Sequence, residues 1–536
     1  MRAFQFVFAV IAFLMLFPLQ AESTPGDTIR SFPTPACCSQ GLAFDGDHLW
    51  VVDRMTDMVY KIDPDDGGIL DSIPAPGYVP RGLAFDGDLL WCADADEEML
   101  YGIDPATKII ERTLYSPVSS VGDLAWDGEY LWLTDYRADE IHRISTEDGT
   151  TINTIPAPSR TVEGLTFDGT YLWASDRINN SIYMITPDLG EVIIGFDSPG
   201  PYNWGLAWGG STLWAVDYET DRIYELVVDD DTRFTRTHEK SEHVEFVHQV
   251  RNYGPDMMTD LDVYLAVPKD MNNQKLLSDV QFQPAPVDFV TDRWGQKVAH
   301  FNFKNVPGTE SRSVKMIVDV ELYANRYFIR PERVGKLSEI PSDISEKYLQ
   351  DDTKFSVNDP VIQNAVTKAV GDETNPYWIA RRIFRHVIDK IEYELAGGWN
   401  IAPTVLDRGT GSCSEYSFVY ISMCRAAGLP ARYVGSVVIR GDDACYDNVF
   451  HRWVEVYLPH YGWVPIDPSG GDHALPYQQA RAFGYLSNRF LITTAGGGGS
   501  EYLGWSYNAD ERWKSKGKCK IVVENFGEWS PITDDE

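Results

Sequence analysis

One pattern returns five times at a spacing of 41 residues, and it governs the first half of the chain. Leu42, Leu83, Leu124, Leu165 and Leu206 occupy one place in it, Trp50, Trp91, Trp132, Trp173 and Trp214 a second, and Asp53, Asp94, Asp135, Asp176 and Asp217 a third. A typical copy runs Gly41-Leu42-Ala43-Phe44-Asp45-Gly46, then Leu49-Trp50, and closes on Ile73-Pro74-Ala75-Pro76. The Asp-Gly step between apolar runs marks a hairpin. Four short strands per copy at this period read as the blades of a propeller. A strand before proline also occurs five times, and its first instance, Ile29 to Phe32, precedes the first Trp copy. That strand is therefore expected to complete the blade ending near Leu226. Residues 28–228 then form a five-bladed ring with no open edge. Residues common to every blade serve the fold; ligand residues should break the period. The positions after the third Asp do vary, with Arg54, Arg137, Arg177 and Tyr218 on one face.

The length, 536 residues, exceeds what one core supports, so further domains are expected. Asp229-Asp230-Asp231 reads as a short acidic linker. Residues 233–330 alternate like strands, at Leu261, Val263, Leu265 and Val267 and again from Val314 to Leu322, and predict a β-sandwich. Residues 331–345 read as a linker. Asp359-Pro360 and Asn375-Pro376 open two amphipathic helices. His386, in the second, reads as a surface or packing residue.

A Gly-rich turn, Gly409 to Gly411, leads into Ser412-Cys413 and an apolar run through Phe418, Val419, Tyr420, Ile421 and Met423, which Gly428 and Pro430 end. This predicts a buried helix with Cys413 at its N-terminus, where free N–H groups and the macrodipole lower a thiol's pKa. Cys424, deeper in the same helix, reads as a small core hydrophobe. Phe450-His451-Arg452-Trp453-Val454-Glu455-Val456 alternates like a strand, and Gly462 to Ile466 leads to Asp467-Pro468. A cysteine, a histidine and a carboxylate suit a nucleophile, its base and the group that orients the base.

These segments, with the Arg425 to Arg432 tail, resemble the transglutaminase-like superfamily over about residues 340–494. The resemblance implies a papain-like α+β core, with Cys413 as nucleophile, His451 as general base and acid, and Asp467 as the orienting carboxylate. It also implies an oxyanion-stabilising Trp upstream of the cysteine, for which Trp399 is the candidate. An immunoglobulin-like sandwich ahead of the core also occurs in such relatives. The fold expected is a multidomain chain: signal peptide 1–21, five-bladed propeller 28–228, immunoglobulin-like sandwich 233–330 and catalytic domain 340–536.

Residues 1–21 carry Arg2, an apolar run from Phe4 to Phe17 and a small-residue site at Ala21, as secretory signals do. Export to the periplasm or the outside follows, with no membrane span after the signal is removed. The net charge of −34 argues against nucleic acid as a partner. Export permits disulfides among Cys37, Cys38, Cys92, Cys424, Cys445 and Cys519, with Cys445–Cys519 favoured because both fall near strands. Cysteine spacings do not match a zinc site, and neither metal nor cofactor is expected. After Asp467, strands are expected at Arg489–Thr494 and Cys519–Val523, with Gly496 to Ser500 as a mobile loop.

The expected activity is acyl transfer at protein or peptide amide bonds, as protease, deamidase or transamidase. The alternative is a binding or adhesion protein whose propeller takes a protein or surface ligand while the triad is vestigial. A metal-dependent propeller lactonase is a third, weaker reading.

Overall fold

The computed structural model describes residues 23–229, 232–395, 399–441 and 445–532. Residues 1–21, expected to be a signal peptide, lie outside these residues, as do Asp230 and Asp231 of the acidic linker and Gly397 and Gly398 beside Trp399.

The repeat folds into five four-stranded antiparallel sheets. Four use consecutive strands. The fifth takes three strands from its own copy, Asn203–Trp208, Leu213–Asp217 and Arg222–Leu226, and its last from the start of the repeat region, Thr28–Pro33. The strands carrying the periodic leucines touch one another in cyclic order, so the five sheets close on themselves. Their arrangement follows from the periodic residues. Asp45 accepts hydrogen bonds from the N–H groups of Asp47 and His48 and from Trp50 Nε1, the last at 2.9 Å. Gly46 takes the φ of +101° that this turn needs. Asp86, Asp127 and Asp168 bind Trp91, Trp132 and Trp173 in the same way. Asp53 accepts from Met55 and Thr56 on one oxygen and from the Cys38 N–H, at 2.7 Å, on the other. Periodic Asp and Trp residues thus staple each sheet.

One residue staples the sheets to each other. The position before the periodic leucine is Gly41, Gly82, Gly164 or Gly205 in four copies and Asp123 in the third. Its buried carboxylate accepts from the N–H groups of Leu83, Leu165 and Leu206, which belong to three other sheets. Burial pushes this carboxyl well above its usual range, and the N–H groups pull it back.

Residues 234–327 contribute most of a two-sheet sandwich with a core around Val244, Phe246, Leu261, Val263, Val318 and Val320. The long strands Phe234–Asn252 and Ser311–Tyr327 pair along sixteen residues. The C-terminus completes both sheets. Ile521–Pro531 pairs with Phe234–Asn252, and Ala509–Ser515 pairs with Met258–Ala266. The sequence places these last strands in a catalytic domain ending at 536; their pairing instead returns them to the sandwich. Local patterning could not show this, because each partner lies some 250 residues upstream.

Between these strands sits an α+β region. A four-stranded antiparallel sheet runs in the order Gly462–Ile466, His451–Leu458, Ala431–Val438, Phe490–Gly496. The helix Cys413–Ala426 packs on it and is buried almost all round, with Phe418, Val419, Ile421 and Met423 fully covered. Each such side chain contributes about 1.5–3 kcal/mol. Helices Pro360–Val370 and Pro376–Lys390, capped by Asp359 and Asn375, pack against it as their apolar faces require. Residues 331–345 are more ordered than a linker, with two short 3₁₀ turns and the start of a helix, Ser342–Tyr348.

The expected mobile loop is also fixed. Gly499 O accepts from Trp294 Nε1 at 3.0 Å and Gly497 O from Arg425 Nη2 at 2.6 Å. Among the described residues no helix is long and apolar enough to cross a membrane.

All seven cysteines are free thiols. Cys445 Sγ lies by the Arg440 N–H and Cys519 Sγ by Asp256 O, so the favoured Cys445–Cys519 bond is not formed. Cys37 and Cys38 stand with their sulfurs 3.9 Å apart, and Cys92 is buried in a sheet core.

Asp123→Ala removes three hydrogen bonds to a buried carboxylate at once. It should lower the stability of the five-sheet ring by about 3 kcal/mol. Differential scanning calorimetry reads this as a drop in that transition's Tm, whereas Asp47→Ala, at an exposed turn, should leave it unchanged.

Candidate active site

Cys413 is the first residue of its helix, as the turn-to-helix pattern predicts. The helix start is held from outside. Glu415, wholly buried, accepts from the Ser412 N–H at 3.1 Å, the Asn400 N–H at 2.9 Å and Arg408 Nη2 at 3.0 Å. This carboxylate ties the turn before Cys413 to the chain that follows Trp399.

His451 opens the strand His451–Leu458, and Asp467 follows the end of Gly462–Ile466. These strands are neighbours, with Val454 opposite Ile466. The pairing brings His451 Nε2 to 2.6 Å from Asp467 Oδ2. Asp467 Oδ1 is held separately, by Ser469 Oγ at 2.8 Å and the Gly470 N–H at 2.9 Å. With Nε2 taken, Nδ1 is the imidazole nitrogen that can meet the Cys413 thiol.

The electrostatics are those of an ion pair. Burial pushes the Cys413 thiol up, but a hydrogen bond and charge from His451, with the Arg452 backbone N–H, bring it below its ordinary value. Burial likewise opposes the charged form of His451, but Asp467 and then Cys413 raise it to about 10. Burial raises Asp467, and His451 more than reverses that, leaving it below the usual carboxylate range. All three shifts run toward the charged forms, thiolate, imidazolium and carboxylate.

The structure thus brings Cys413, His451 and Asp467 together. Trp399, the fourth predicted site residue, stands in the wall beside them, its ring 6.3 Å from that of Tyr507 and 5.1 Å from the Arg452 guanidinium. Its φ of +48° and that of Phe450, +60°, are left-handed in non-glycine residues, and both border the site.

Two residues that sequence reasoning missed support the site. Arg452 is fully buried, its guanidinium boxed by Trp399, Phe418, Tyr433 and Tyr507 at 4.4–5.2 Å from the ring centroids. Burial lowers its pKa, and Tyr433, Tyr507 and then Cys413 oppose that, so the cation and the Cys413 site are electrostatically linked. An arginine beside His451 in a strand whose other side chains are mostly apolar was the available signal. Asp447 fixes the approach to His451. Its Oδ1 accepts from the Val449 and Phe450 N–H groups and Arg440 Nε, and its Oδ2 from the Val438 N–H at 2.8 Å. An Asp two and three residues before the N–H groups it accepts from was the local signal, and its backbone also pairs with the strand Ile521–Pro531. Among the described residues no cluster of three or more His, Cys, Asp or Glu is placed to hold a metal.

Comparison with known proteins assigns the region that holds these residues to a superfamily. Residues 363–468, which include all three groups, match the profile of the "Transglutaminase-like superfamily". A protein-glutamine gamma-glutamyltransferase of Pseudomonas aeruginosa (PAO1) is 23% identical over 182 residues, 31% of this chain and 27% of that protein. An uncharacterized protein of Bacillus subtilis (strain 168), YebA, is 37% identical over 71 residues, 11% of this chain and 10% of that protein. The chain therefore spans well under half of either relative. The structure of a glutaminyl cyclase from Myxococcus xanthus overlaps 38% of this chain and 97% of that one, at 17% identity and a TM-score of 0.35.

Alkylation of Cys413, followed by mass spectrometry of its peptide, should show a half-point in pH below the ordinary thiol value of 9.0. In His451→Ala the stabilising partner is gone and burial remains, so the half-point should move above 9.0. Asp447→Ala should slow labelling at pH 7 by about tenfold by loosening the turn that aims His451. With its triad of side chains inside the matched segment, the region 363–468 is a transglutaminase-like domain.

Proposed function

We propose that the protein is an exported cysteine acyl-transfer enzyme acting on protein or peptide amides. The observation that carries this reading is the His451–Asp467 hydrogen bond beside a thiol held below its ordinary pKa. In the proposed reaction the Cys413 thiolate attacks the amide carbonyl. The Cys413 N–H, free at the helix start, faces the oxyanion, with Trp399 as the candidate second donor. As the C–N bond breaks, His451 gives its proton to the leaving nitrogen, and a thioester remains on Cys413. Neutral His451 then takes a proton from water as the water oxygen attacks. The C–S bond breaks, and the acid product leaves a thiolate–imidazolium pair behind. An acceptor amine in place of water gives transamidation by the same steps. Water is the favoured acceptor, because the sequence carries no sign of a lysine-binding tunnel. Tyr393, half-exposed close to Cys413, offers apolar surface to a substrate side chain.

The α+β region is proposed as the catalytic unit, with the five sheets as a five-bladed propeller and the sandwich as an immunoglobulin-like spacer. The rival reading is an adhesion protein with a vestigial triad. An intact triad, with Cys413 buried, His451 and Asp467 half-buried and their shifts all toward the charged forms, favours the enzyme.

Cys413→Ala should lower amide cleavage or amine incorporation by at least about a thousandfold. Activity near the wild-type level in that variant would defeat the proposal. The pH profile of kcat/KM should be bell-shaped. It should rise through a Cys413 limb below 9.0 and fall near pH 10, where His451 loses the proton it donates. Cleavage in ¹⁸O-labelled water, with and without a primary amine, identifies the acceptor.

A further inference from the structure

An arginine stands beside Asp467 and does not pair with it. The Asp467 N–H donates to Ala482 O at 2.8 Å, and the residue before Ala482 is Arg481. Both Asp467 oxygens go instead to His451, Ser469 and Gly470. Arg481 forms no ion pair with any described residue; it is exposed, and its guanidinium rests 5.6 Å from the Tyr477 ring.

Two anchors fix where this arginine stands. The short helix Pro476–Ala480 docks on the ring of sheets, through the Tyr477 N–H to Pro158 O at 3.1 Å and the Tyr183 and Tyr477 rings at 6.1 Å. The residues after it dock on the sheet that carries the triad. There Phe483 bridges Ile466, and the Gly484 N–H donates to Pro465 O at 2.8 Å. Arg481 sits between the anchors, so its backbone is held although its side chain is exposed.

A cavity of about 300 Å³ opens between this segment and the strands His451–Leu458 and Gly462–Ile466. It has room for an amino-acid side chain. Its wall toward the triad includes Asp467, whose side chain is 24% exposed, and Phe490, whose ring stacks on the His451 imidazole at 5.7 Å. A peptide extended from Cys413 across His451 reaches it within a few residues, each spanning about 3.3 Å.

The lining is one-sided in charge. Arg481 and His473 are both exposed, and Asp467, already matched by His451, is the one carboxylate among the lining residues. The side chains of His473, Gln478 and Ser487 make no hydrogen bond to a described residue. A cation here would meet Arg481 with no free carboxylate to offset it. An apolar group would strip water from Arg481 and Gln478 and return nothing. A carboxylate would meet a guanidinium able to take it in two parallel hydrogen bonds, with Gln478 and Ser487 as further donors. The net charge of −34 does not oppose this at close range, because repulsion from distant surface charges is screened beyond about 8 Å at physiological salt.

We propose that this cavity is the substrate subsite for a carboxylate, with Arg481 as the residue that selects it. This rests on the reading of Cys413 as an amide-directed nucleophile. It also gives the ring a part in the site, because its fourth sheet holds the segment that carries Arg481.

Fluorescence anisotropy on the full chain carrying Cys413→Ala reads binding without turnover. The probes are fluorescein-labelled peptides with a central glutamine among alanines. Each carries one Glu, Gln or Lys at a flanking position, and its C-terminus is free or amidated, so a side-chain carboxylate is told from a terminal one. At least one acidic peptide should bind about tenfold or more tightly than its Gln or amide counterpart. Adding Arg481→Gln should abolish that difference, and Arg481→Lys should keep part of it. No acidic preference, a preference for the Lys peptides, or an acidic preference that survives Arg481→Gln overturns the proposal. Turnover of the same peptides by the unaltered protein keeps the two readings apart. Turnover with no acidic preference defeats the subsite alone, whereas an Arg481-dependent preference with no turnover defeats the amide chemistry alone.

Discussion

The contact between His451 and Asp467 is the interaction on which the site depends. At 2.6 Å it makes a charged imidazole tolerable in a covered place, and that charge in turn lowers the Cys413 thiol. Desolvation works against all three ionised groups, so each needs the others. The surrounding structure serves this requirement. Two adjacent strands set the His–Asp spacing, and the buried helix start sets the thiol. Asp447 and the C-terminal strand hold the turn ahead of His451. The sandwich is therefore structurally continuous with the site, since Ile521–Pro531 joins Phe234–Asn252 to Tyr446–Asp447 within one sheet.

The ring of sheets obeys a different rule. Its stability is local and repeated, with the same Asp–Trp staple in four copies. The fifth copy has Gly209-Gly210 where the others have Asp-Gly, and a side chain at Gly209 would strike Trp214 Nε1. The exceptions to the repeat carry the longer-range chemistry: Asp123 at the axis, and the Arg81–Glu163 ion pair between the second and fourth sheets. The fourth sheet alone buries its outermost strand, Val192–Asp197, because the helical region packs there. Arg381 and Arg385 of that region meet Glu191. In the first and second sheets the matching residues Ile69, Leu70, Ile109 and Ile110 are exposed.

Much of this was legible in the sequence, for reasons that differ by element. Period and turn chemistry are local, so the strands of the repeat and the pairing of Thr28–Pro33 with Arg222–Leu226 could be read from spacing. The Cys413 helix announced itself through its Gly-rich entry and all-round apolar run, and His451 and Asp467 through alternation and a strand-ending proline. What stayed hidden depends on contacts between distant segments. The return of residues 509–531 to the sandwich and the aromatic box around Arg452 each join residues that no short window contains. The Cys445–Cys519 expectation failed for the same reason: both are near strands, but their sulfurs meet other partners.

The most direct test of the account is to trap the acyl-enzyme. The protein would be mixed with an activated acyl ester of a glutaminyl or peptide acid, quenched in acid and mapped by mass spectrometry. A thioester on the Cys413 peptide, formed slowly in His451→Ala and not at all in Cys413→Ala, is the predicted result. Acylation spread over Cys37, Cys38, Cys445 and Cys519 with none at Cys413, or equal acylation of wild type and His451→Ala, would contradict it.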